Sequence, residues 1–330
     1  MTKKKIAING FGRIGRLTTR VLLEKYKDQV DLVGINDLTS VANLAYLFQY
    51  DTTYRRPTFT INTEGDTLLL DGDKVPVYSS KDPGELPWSN LEVDTVLECT
   101  GFFRTREGVS QHLEAGARQV VISAPGKGGD IPTVVLGVNE PAIGESIYSN
   151  ASCTTNCLAP ALKCLEDSFG IKRGSGLTVH AYTSTQRLQD SPGEKDFRKA
   201  RAAAANLIPT STGAAKAVFE VIPSLAGKLA LSALRVPVIT GSMVQLTLEL
   251  NQTTTRQNIL HALQEYAQHY PSILQVSHDP LVSSDIVMNP HSTIVDAELL
   301  TYENDLLTLV LWYDNEWGYS NRLADLVMSL

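Results

Sequence analysis

Apolar and polar positions along the chain change period several times, and each change marks an element. Residues 6–9, Ile6-Ala7-Ile8-Asn9, form a short apolar run that leads into Gly10-Phe11-Gly12-Arg13-Ile14-Gly15. The spacing turns helical over 16–26 and apolar again over 30–35, which predicts strand, glycine turn, helix, strand. The alternation continues with a helix at 40–50, strands at 94–98 and 120–123 around a helix at 107–115, and a further strand at 133–138. Short strands at 58–62, 67–70 and 75–78, separated by turns at Gly65 and Asp71-Gly72, read as an insertion in this half.

The second half has a different pattern. A buried helix begins at Cys153 and runs through Leu158-Ala159-Pro160-Ala161-Leu162, and Gly174-Ser175-Gly176 reads as a break before a strand at 177–182. Residues 190–201 read as a long polar loop. From Leu231 onward strands dominate, at 233–237, 243–250, 294–298 and 306–313, with one helix at 256–270 that a run of threonines can cap. The expected fold class is α/β. Residues 1–152 form a Rossmann-type, doubly wound, mostly parallel sheet, and 153–318 an α+β catalytic domain with a mixed or antiparallel sheet. A last helix at 319–330 is expected to pack back on the first domain.

Composition narrows the function more by exclusion than by suggestion. The chain has 330 residues, 43% of them hydrophobic, and a net charge of −7. That length suits about two domains, and the acidic balance argues against electrostatic binding to nucleic acid. No apolar run reaches the roughly 18 residues a membrane span requires, and Lys3-Lys4-Lys5 precedes a strand pattern and not a signal-peptide core. Four cysteines, at 99, 153, 157 and 164, make no disulfide framework in so long a chain. A cytoplasmic protein is expected. Cys153 and Cys157 stand one helical turn apart, but no second Cys or His pair lies nearby at zinc spacing, so no metal site is expected.

Two stretches carry candidate chemistry. In the first, Gly10, Gly12 and Gly15 suit a tight turn, close approach of backbone to a pyrophosphate and close helix–strand packing, with the phosphates at the helix N-terminus. Asp37 follows at the distance where a carboxylate meets ribose hydroxyls and repels a 2′-phosphate, which favours NAD over NADP. Thr100, Gly101 and Ser123 end strands on the side where such sheets bind ligands. In the second stretch, Ser149-Asn150-Ala151-Ser152-Cys153-Thr154-Thr155-Asn156-Cys157 places Cys153 where a helix begins, a setting that lowers a thiol pKa. Cys153 is the candidate nucleophile and His180, on a strand, its candidate base. Pro209-Thr210-Ser211-Thr212-Gly213, at the start of an alanine-rich helix, is a second seat for an anion.

The glycine run through Arg16, the cysteine run, His180-Ala181-Tyr182-Thr183, Ser211-Thr212-Gly213-Ala214-Ala215-Lys216-Ala217, Arg235-Val236-Pro237 and the run from Trp312 to Arg322 together resemble the phosphorylating glyceraldehyde-3-phosphate dehydrogenase family, in the family's order. The resemblance implies a homotetramer that oxidises glyceraldehyde 3-phosphate with NAD and inorganic phosphate. The route runs through a hemithioacetal and a thioester on Cys153, with His180 as base. It further implies that Thr183 and Arg235, helped by Arg198, hold the substrate phosphate, and that Ser152, Thr154, Thr212 and Gly213 line the seat of the attacking phosphate. Arg13 and Ile14 would lie along the pyrophosphate, Lys81, Thr100 and Ser123 near the cofactor, and Asn315 on the nicotinamide amide. The loop 190–201 would cross to a neighbouring subunit. Lys199 stands where many members have an arginine and lacks its planar fork, which leaves open whether Arg198 or Lys199 meets phosphate. Erythrose-4-phosphate dehydrogenase is similar in fold and cysteine run but less so after His180 and at Ser211-Thr212-Gly213. A purely adhesive or nucleic-acid-binding role finds no support in the acidic composition.

Overall fold

The structure, a computed structural model, describes residues 2–193 and 196–330. It divides into two compact units, one of residues 1–134, 140–151 and 320–330, the other of 135–139 and 152–319.

The first unit is built on an eight-stranded sheet of β1 (Lys4–Asn9), β2 (Val30–Asn36), β3 (Ile61–Glu64), β4 (Thr67–Leu70), β5 (Asp73–Tyr78), β6 (Thr95–Glu98), β7 (Gln119–Ile122) and β8 (Ile147–Ser149). The order is β3-β4-β5-β2-β1-β6-β7-β8. The run from β5 to β8 is parallel, while β3 and β4 add an antiparallel extension that turns at Gly65 (φ 56°) and at Asp71-Gly72 (φ 52° and 92°). Crossovers are made by α1 (Arg13–Lys25), α2 (Val41–Gln49), the short α3 (Trp88–Leu91) and α4 (Arg106–Glu114). Helix α1 buries Leu17, Val21 and Leu22, and α4 buries Val109 and is capped by Thr105, whose hydroxyl accepts from Gly108 N–H at 3.3 Å. The end of α8 (Trp317–Ser329) belongs to this unit from Ser320 on. It is fixed there by Asp325, which accepts from Lys25 Nζ at 2.7 Å and Tyr26 OH at 2.5 Å, and by Lys4 Nζ donating to the Val327 carbonyl at 2.6 Å.

One expectation fails in this half. Residues 133–138 form no strand: Val138 N–H turns back to the Val135 carbonyl at 3.0 Å, Gly137 takes φ 82°, and the Asn139 side chain accepts from Val135 N–H at 2.9 Å. The edge position beside β7 goes instead to β8, whose three residues are too few to show a period. Apolar content alone misled, because the local turn satisfies the backbone polar groups that a ladder would otherwise pair.

The second unit holds β9 (Ile171–Ala181), β10 (Ile208–Thr210), β11 (Leu229–Val236), β12 (Ser242–Leu250), β13 (Leu274–Ser277), β14 (Thr293–Asp296), β15 (Thr301–Glu303) and β16 (Leu306–Tyr313). Their order is β10-β11-β9-β12-β16-β14-β13, with β15 on β16, and both parallel and antiparallel pairs occur. Gly174 and Gly176 do not break β9 as expected. Their α-carbons lie where a Cβ would come within 2.4 Å of a Leu248 methyl and 2.7 Å of a Leu231 methyl, so they let neighbouring strands crowd in and the strand continues. Helices α5 (Cys153–Phe169), α6 (Ala214–Val221) and α7 (Arg256–His269) complete the unit, and α5 packs on β9, β12, β14 and β16. Thr255 caps α7, accepting from Asn258 N–H at 3.1 Å.

Helix α5 carries a proline in its interior, at Pro160. Proline has no N–H to give the carbonyl four residues back. The Thr293 hydroxyl, from β14, supports this stretch from outside: it lies 3.5 Å from the Asn156 carbonyl and donates to the neighbouring Cys157 carbonyl at 2.6 Å.

Candidate active site

In the first unit the C-terminal ends of β1, β2 and β6 open on a cavity of about 600 Å³. Gly10, Gly12, Asp37, Lys81 and Thr100 line it, together with Asn9, Asn36, Ser80 and Cys99, and Leu38, Phe102 and Phe103 add apolar walls. The three glycines do different work. A Cβ on Gly10 would meet Thr100 N at 2.7 Å, one on Gly15 would meet the Gly10 carbonyl oxygen at 2.1 Å, and one on Gly12 would meet no protein atom within 4 Å. Gly15 therefore sets the approach of α1 to the loop, whereas Gly12 leaves room for a ligand. Asp37 accepts from Phe11 N–H at 2.8 Å and from Thr39 N–H at 2.9 Å. Each of its oxygens keeps capacity for a ribose hydroxyl. The cavity, the clear face of Gly12 and the carboxylate at Asp37 fit NAD.

Other residues expected near the cofactor are placed differently. Arg13 pairs with Asp51 at 2.5 Å and lies over the Tyr54 ring. Ile14 is half-buried in the first turn of α1. Ser123 is not among the lining residues of the cavity; its side chain hydrogen-bonds the Cys99 sulfur, which is. Glu98, fully buried at the end of β6, is a residue that sequence reasoning passed over as part of an apolar strand.

In the second unit Ser152 caps α5: its hydroxyl accepts from Thr155 N–H at 3.2 Å. Ala151, just before it, has φ 54°, a left-handed conformation held at a non-glycine residue where the chain enters the helix. This entry sets Cys153 at the first turn. Its Sγ lies 3.4 Å from His180 Nε2, at the end of β9. The parallel register of β9 and β11 sets Arg235 opposite His180, and Arg235 Nη1 comes within 2.5 Å of His180 Nδ1 while donating to the Ala181 carbonyl at 2.8 Å. His180 Nδ1 also lies 2.7 Å from that carbonyl. Nδ1 thus stands between a carbonyl, which calls for a proton on it, and a guanidinium, which can only donate to it; the tautomer with the proton on Nδ1 is the one that leaves the Nε2 lone pair facing the thiol.

Burial and the neighbouring Arg235 guanidinium hold the His180 imidazole down to about 3, against the pull of the Ala181 carbonyl. Burial also pushes the Cys153 thiol up, and Arg235, the Thr154 side chain and the backbone N–H groups of Thr154 and Cys153 only partly offset it. The expectation of a lowered thiol pKa is thus corrected. The helix-start groups act in the expected direction, but desolvation outweighs them. The pair rests as neutral thiol and neutral imidazole, with the base already in reach.

Around this pair, the Tyr313 hydroxyl lies 3.0 Å from both Thr154 Oγ1 and Thr178 Oγ1, and its ring stands edge-on to His180. Asn315 Oδ1 accepts from Ser242 Oγ at 2.8 Å, and Ser242 Oγ accepts from Ala181 N–H at 3.1 Å, so these bonds take up the oxygen of the Asn315 amide and not its nitrogen. Thr183 is half-buried and its hydroxyl lies 3.0 Å from that of Thr185. The Thr212 hydroxyl accepts from Ala214 N–H at 3.2 Å, and Gly213, the N-cap of α6, has open space about its α-carbon. Arg198 is not beside Cys153. It lines a separate cavity of about 550 Å³ with Asp196, Thr210 and Ser211, and Lys199 pairs with Asp196 at 3.6 Å. Of the loop 190–201, residues 194 and 195 lie outside the described residues. No group of three His, Cys, Asp or Glu side chains able to hold a metal ion occurs among the described residues.

A glycine-loop dinucleotide unit and a thiol–imidazole pair at a helix start are the parts of a cysteine-dependent dehydrogenase. Residues 4–106 match the model of the glyceraldehyde 3-phosphate dehydrogenase NAD binding domain, and residues 152–315 that of the same enzyme's C-terminal domain. The chain is 49% identical to the glyceraldehyde-3-phosphate dehydrogenase of Kitasatospora aureofaciens, covering 99% of this chain and 98% of that protein. It is 48% identical to glyceraldehyde-3-phosphate dehydrogenase 1 of Bacillus subtilis (98% and 96% covered) and 46% identical to that of Kluyveromyces lactis (98% of each). The chain belongs to the glyceraldehyde-3-phosphate dehydrogenase family.

Proposed function

We infer that the protein is an NAD-dependent glyceraldehyde-3-phosphate dehydrogenase of glycolysis that couples aldehyde oxidation to uptake of inorganic phosphate, forming 1,3-bisphosphoglycerate. The observation that carries this reading is the 3.4 Å approach of Cys153 Sγ to His180 Nε2, in a chain whose NAD-binding and C-terminal regions both match the family.

His180 Nε2 takes the thiol proton as Cys153 sulfur attacks the aldehyde carbon, giving a hemithioacetal. His180 passes that proton to the former aldehyde oxygen, which becomes the hemithioacetal hydroxyl, and, free again, takes it back as the C–O bond becomes a carbonyl. NAD, when bound, supplies the two-electron acceptor for this oxidation. Cys153 then carries a thioester, whose carbonyl carbon is attacked by inorganic phosphate; the C–S bond breaks and the sulfur recovers a proton. Gly10, Gly12, Gly15, Arg13, Ile14, Asp37, Lys81, Thr100, Ser123 and Asn315 are proposed to hold NAD. Thr183, Arg235 and Arg198 are proposed for the substrate phosphate, and Ser152, Thr154, Thr212 and Gly213 for the attacking one. Because the Thr154 hydroxyl already meets Tyr313, its contribution comes from its backbone N–H at the helix start.

A homotetramer is proposed with it. Supporting this, Ser175, Leu177, Leu231, Ser232, Gln245 and Thr247 of β9, β11 and β12 line an open concavity of about 420 Å³ on a face of the sheet. A cytoplasmic location is proposed too; no helix among the described residues is long and apolar enough to cross a membrane. The test is NADH formation from glyceraldehyde 3-phosphate with and without inorganic phosphate, repeated with NADP and with erythrose 4-phosphate. Phosphate-dependent turnover with NAD is expected. Turnover that is faster on erythrose 4-phosphate and indifferent to phosphate would overturn the reading.

A further inference from the structure

Beneath the dinucleotide cavity lies a buried carboxylate for which the mechanism has no use. Glu98 ends β6 with no solvent exposure. Its Oε1 accepts from Thr100 N–H at 2.7 Å and from the Thr100 hydroxyl. Its Oε2 accepts from Asn9 Nδ2 at 2.5 Å and faces His112 Nε2 at 3.2 Å. The protonation of His112 follows from Trp88, whose indole N–H can only donate and reaches His112 Nδ1 at 3.0 Å. The imidazole proton therefore sits on Nε2 and is given to Glu98.

The network continues along the cavity floor. Asn9 Oδ1 accepts from Asn36 Nδ2 at 2.7 Å, and Asn36 closes on Ser80, donating to its carbonyl and accepting from its N–H, each at 2.9 Å. Asn9, Asn36, Ser80 and Thr100 all line the cavity. Every donor and acceptor in the series is fixed, and the fixed point is a group that accepts at both ends. The Thr100 hydroxyl spends its proton on Glu98 and one lone pair on Phe102 N–H, at 3.1 Å. What it offers the cavity is a lone pair only.

We propose that Glu98 is the positioning residue of the dinucleotide site: it holds the strand ends of the floor in one polarity and sets the Thr100 hydroxyl to accept from the ligand. The ligand group selected there is a donor, a ribose hydroxyl or an exocyclic amine, and not a phosphate oxygen. The inference rests on the reading of this cavity as the NAD site. Glutamine cannot replace Glu98 despite its shape. Whichever way its amide turns, the NH₂ faces Thr100 N–H on one side or Asn9 Nδ2 and His112 Nε2–H on the other, donor against donor.

The test uses the full-length protein and three readouts: NAD Kd by titration calorimetry, KM for each substrate, and Tm. Glu98→Gln is expected to weaken NAD about tenfold or more, the scale of one unsatisfied buried polar group, while KM for glyceraldehyde 3-phosphate stays within about twofold. Adding Asn9→Asp supplies an acceptor to the glutamine NH₂, to Asn36 and to His112, and is expected to bring Kd back to within about threefold of wild type. A purely structural residue would move Tm and leave Kd in place, so wild-type affinity in Glu98→Gln overturns the proposal, as does failure of the double variant to regain affinity. Should Glu98→Gln not fold, Thr100→Val decides. NAD weakened about tenfold is expected, and unchanged affinity overturns the proposal. If instead the cavity were not the NAD site, Asp37→Ala would leave NAD affinity unchanged, a result that separates the two failures.

Discussion

Arg235 stands opposite His180 across the parallel pairing of β9 and β11, and its guanidinium bears on the imidazole nitrogen that faces away from Cys153. The charge therefore presses on the base from behind. Because the folded pKa, about 3, lies below the ordinary value of 6.5, the unfolded state binds this proton more readily, and the pair costs stability as pH falls from about 6.5 toward 3. Arg235→Leu should raise the His180 midpoint, followed by NMR of labelled histidine. It should also weaken glyceraldehyde 3-phosphate if Arg235 holds its phosphate. A midpoint that does not move would assign the whole depression to burial.

Cys153 should be the first thiol blocked by iodoacetamide. It is partly exposed and next to a base, and Arg235 and the helix-start groups offset part of the burial that raises its thiol, whereas Cys157 and Cys164 are buried and burial pushes the Cys99 and Cys164 thiols up to about 12. Peptide mapping after brief labelling gives the order, and equal modification of all four would contradict it. His180→Asn should slow this labelling and reduce kcat about 10²- to 10⁴-fold, with NAD affinity kept.

Gly15 and Gly12 separate packing from binding. Gly15→Ala drives a methyl into the Gly10 carbonyl oxygen and should cost about 1–3 kcal/mol of stability, read as a lower Tm. Gly12→Ala meets no protein atom within 4 Å and should fold normally while NAD binding weakens, by calorimetry. Equal loss of Tm in both would refute this division.

Glu145 ties the β8 edge to α4. It accepts from Arg106 Nη2 at 2.8 Å and from the backbone N–H groups of Ser146 and Ile147 at 2.7 and 3.0 Å. Arg106 first, then these N–H groups, hold its carboxyl down to about 2, below the usual 4.5. The stabilisation is present above about pH 4.5 and is lost as pH falls toward 2. Glu145→Gln should lower Tm at pH 7 by an amount that shrinks below pH 4.5. A gap that stays constant down to pH 3.5 would rule out the charge as its source.

Much of this was legible in the letters, for identifiable reasons. The glycine spacing and Asp37 are local signals, and Gly10, Gly12 and Asp37 do share one cavity. Cys153 was legible because a helix start has a composition of its own. The failures were long-range. Gly174 and Gly176 read as turn residues because nothing local reveals that Leu231 and Leu248 crowd them. The direction of the Cys153 shift was misjudged because desolvation depends on what folds over the sulfur, which helix position does not encode. Glu98 passed unnoticed because its partners at Asn9 and His112 are remote in sequence and only the sheet brings them together.

Pro160 gives the nucleophile's helix a second anchor. The carbonyls of Asn156 and Cys157 are met by the Thr293 hydroxyl, three and four residues along from Cys153, or about 5–6 Å at the rise of an α-helix. The reactive atom thus rides on a first turn clamped from β14, and an edit as small as Thr293→Val, which removes only that clamp, reaches the chemistry through the turn that carries the sulfur.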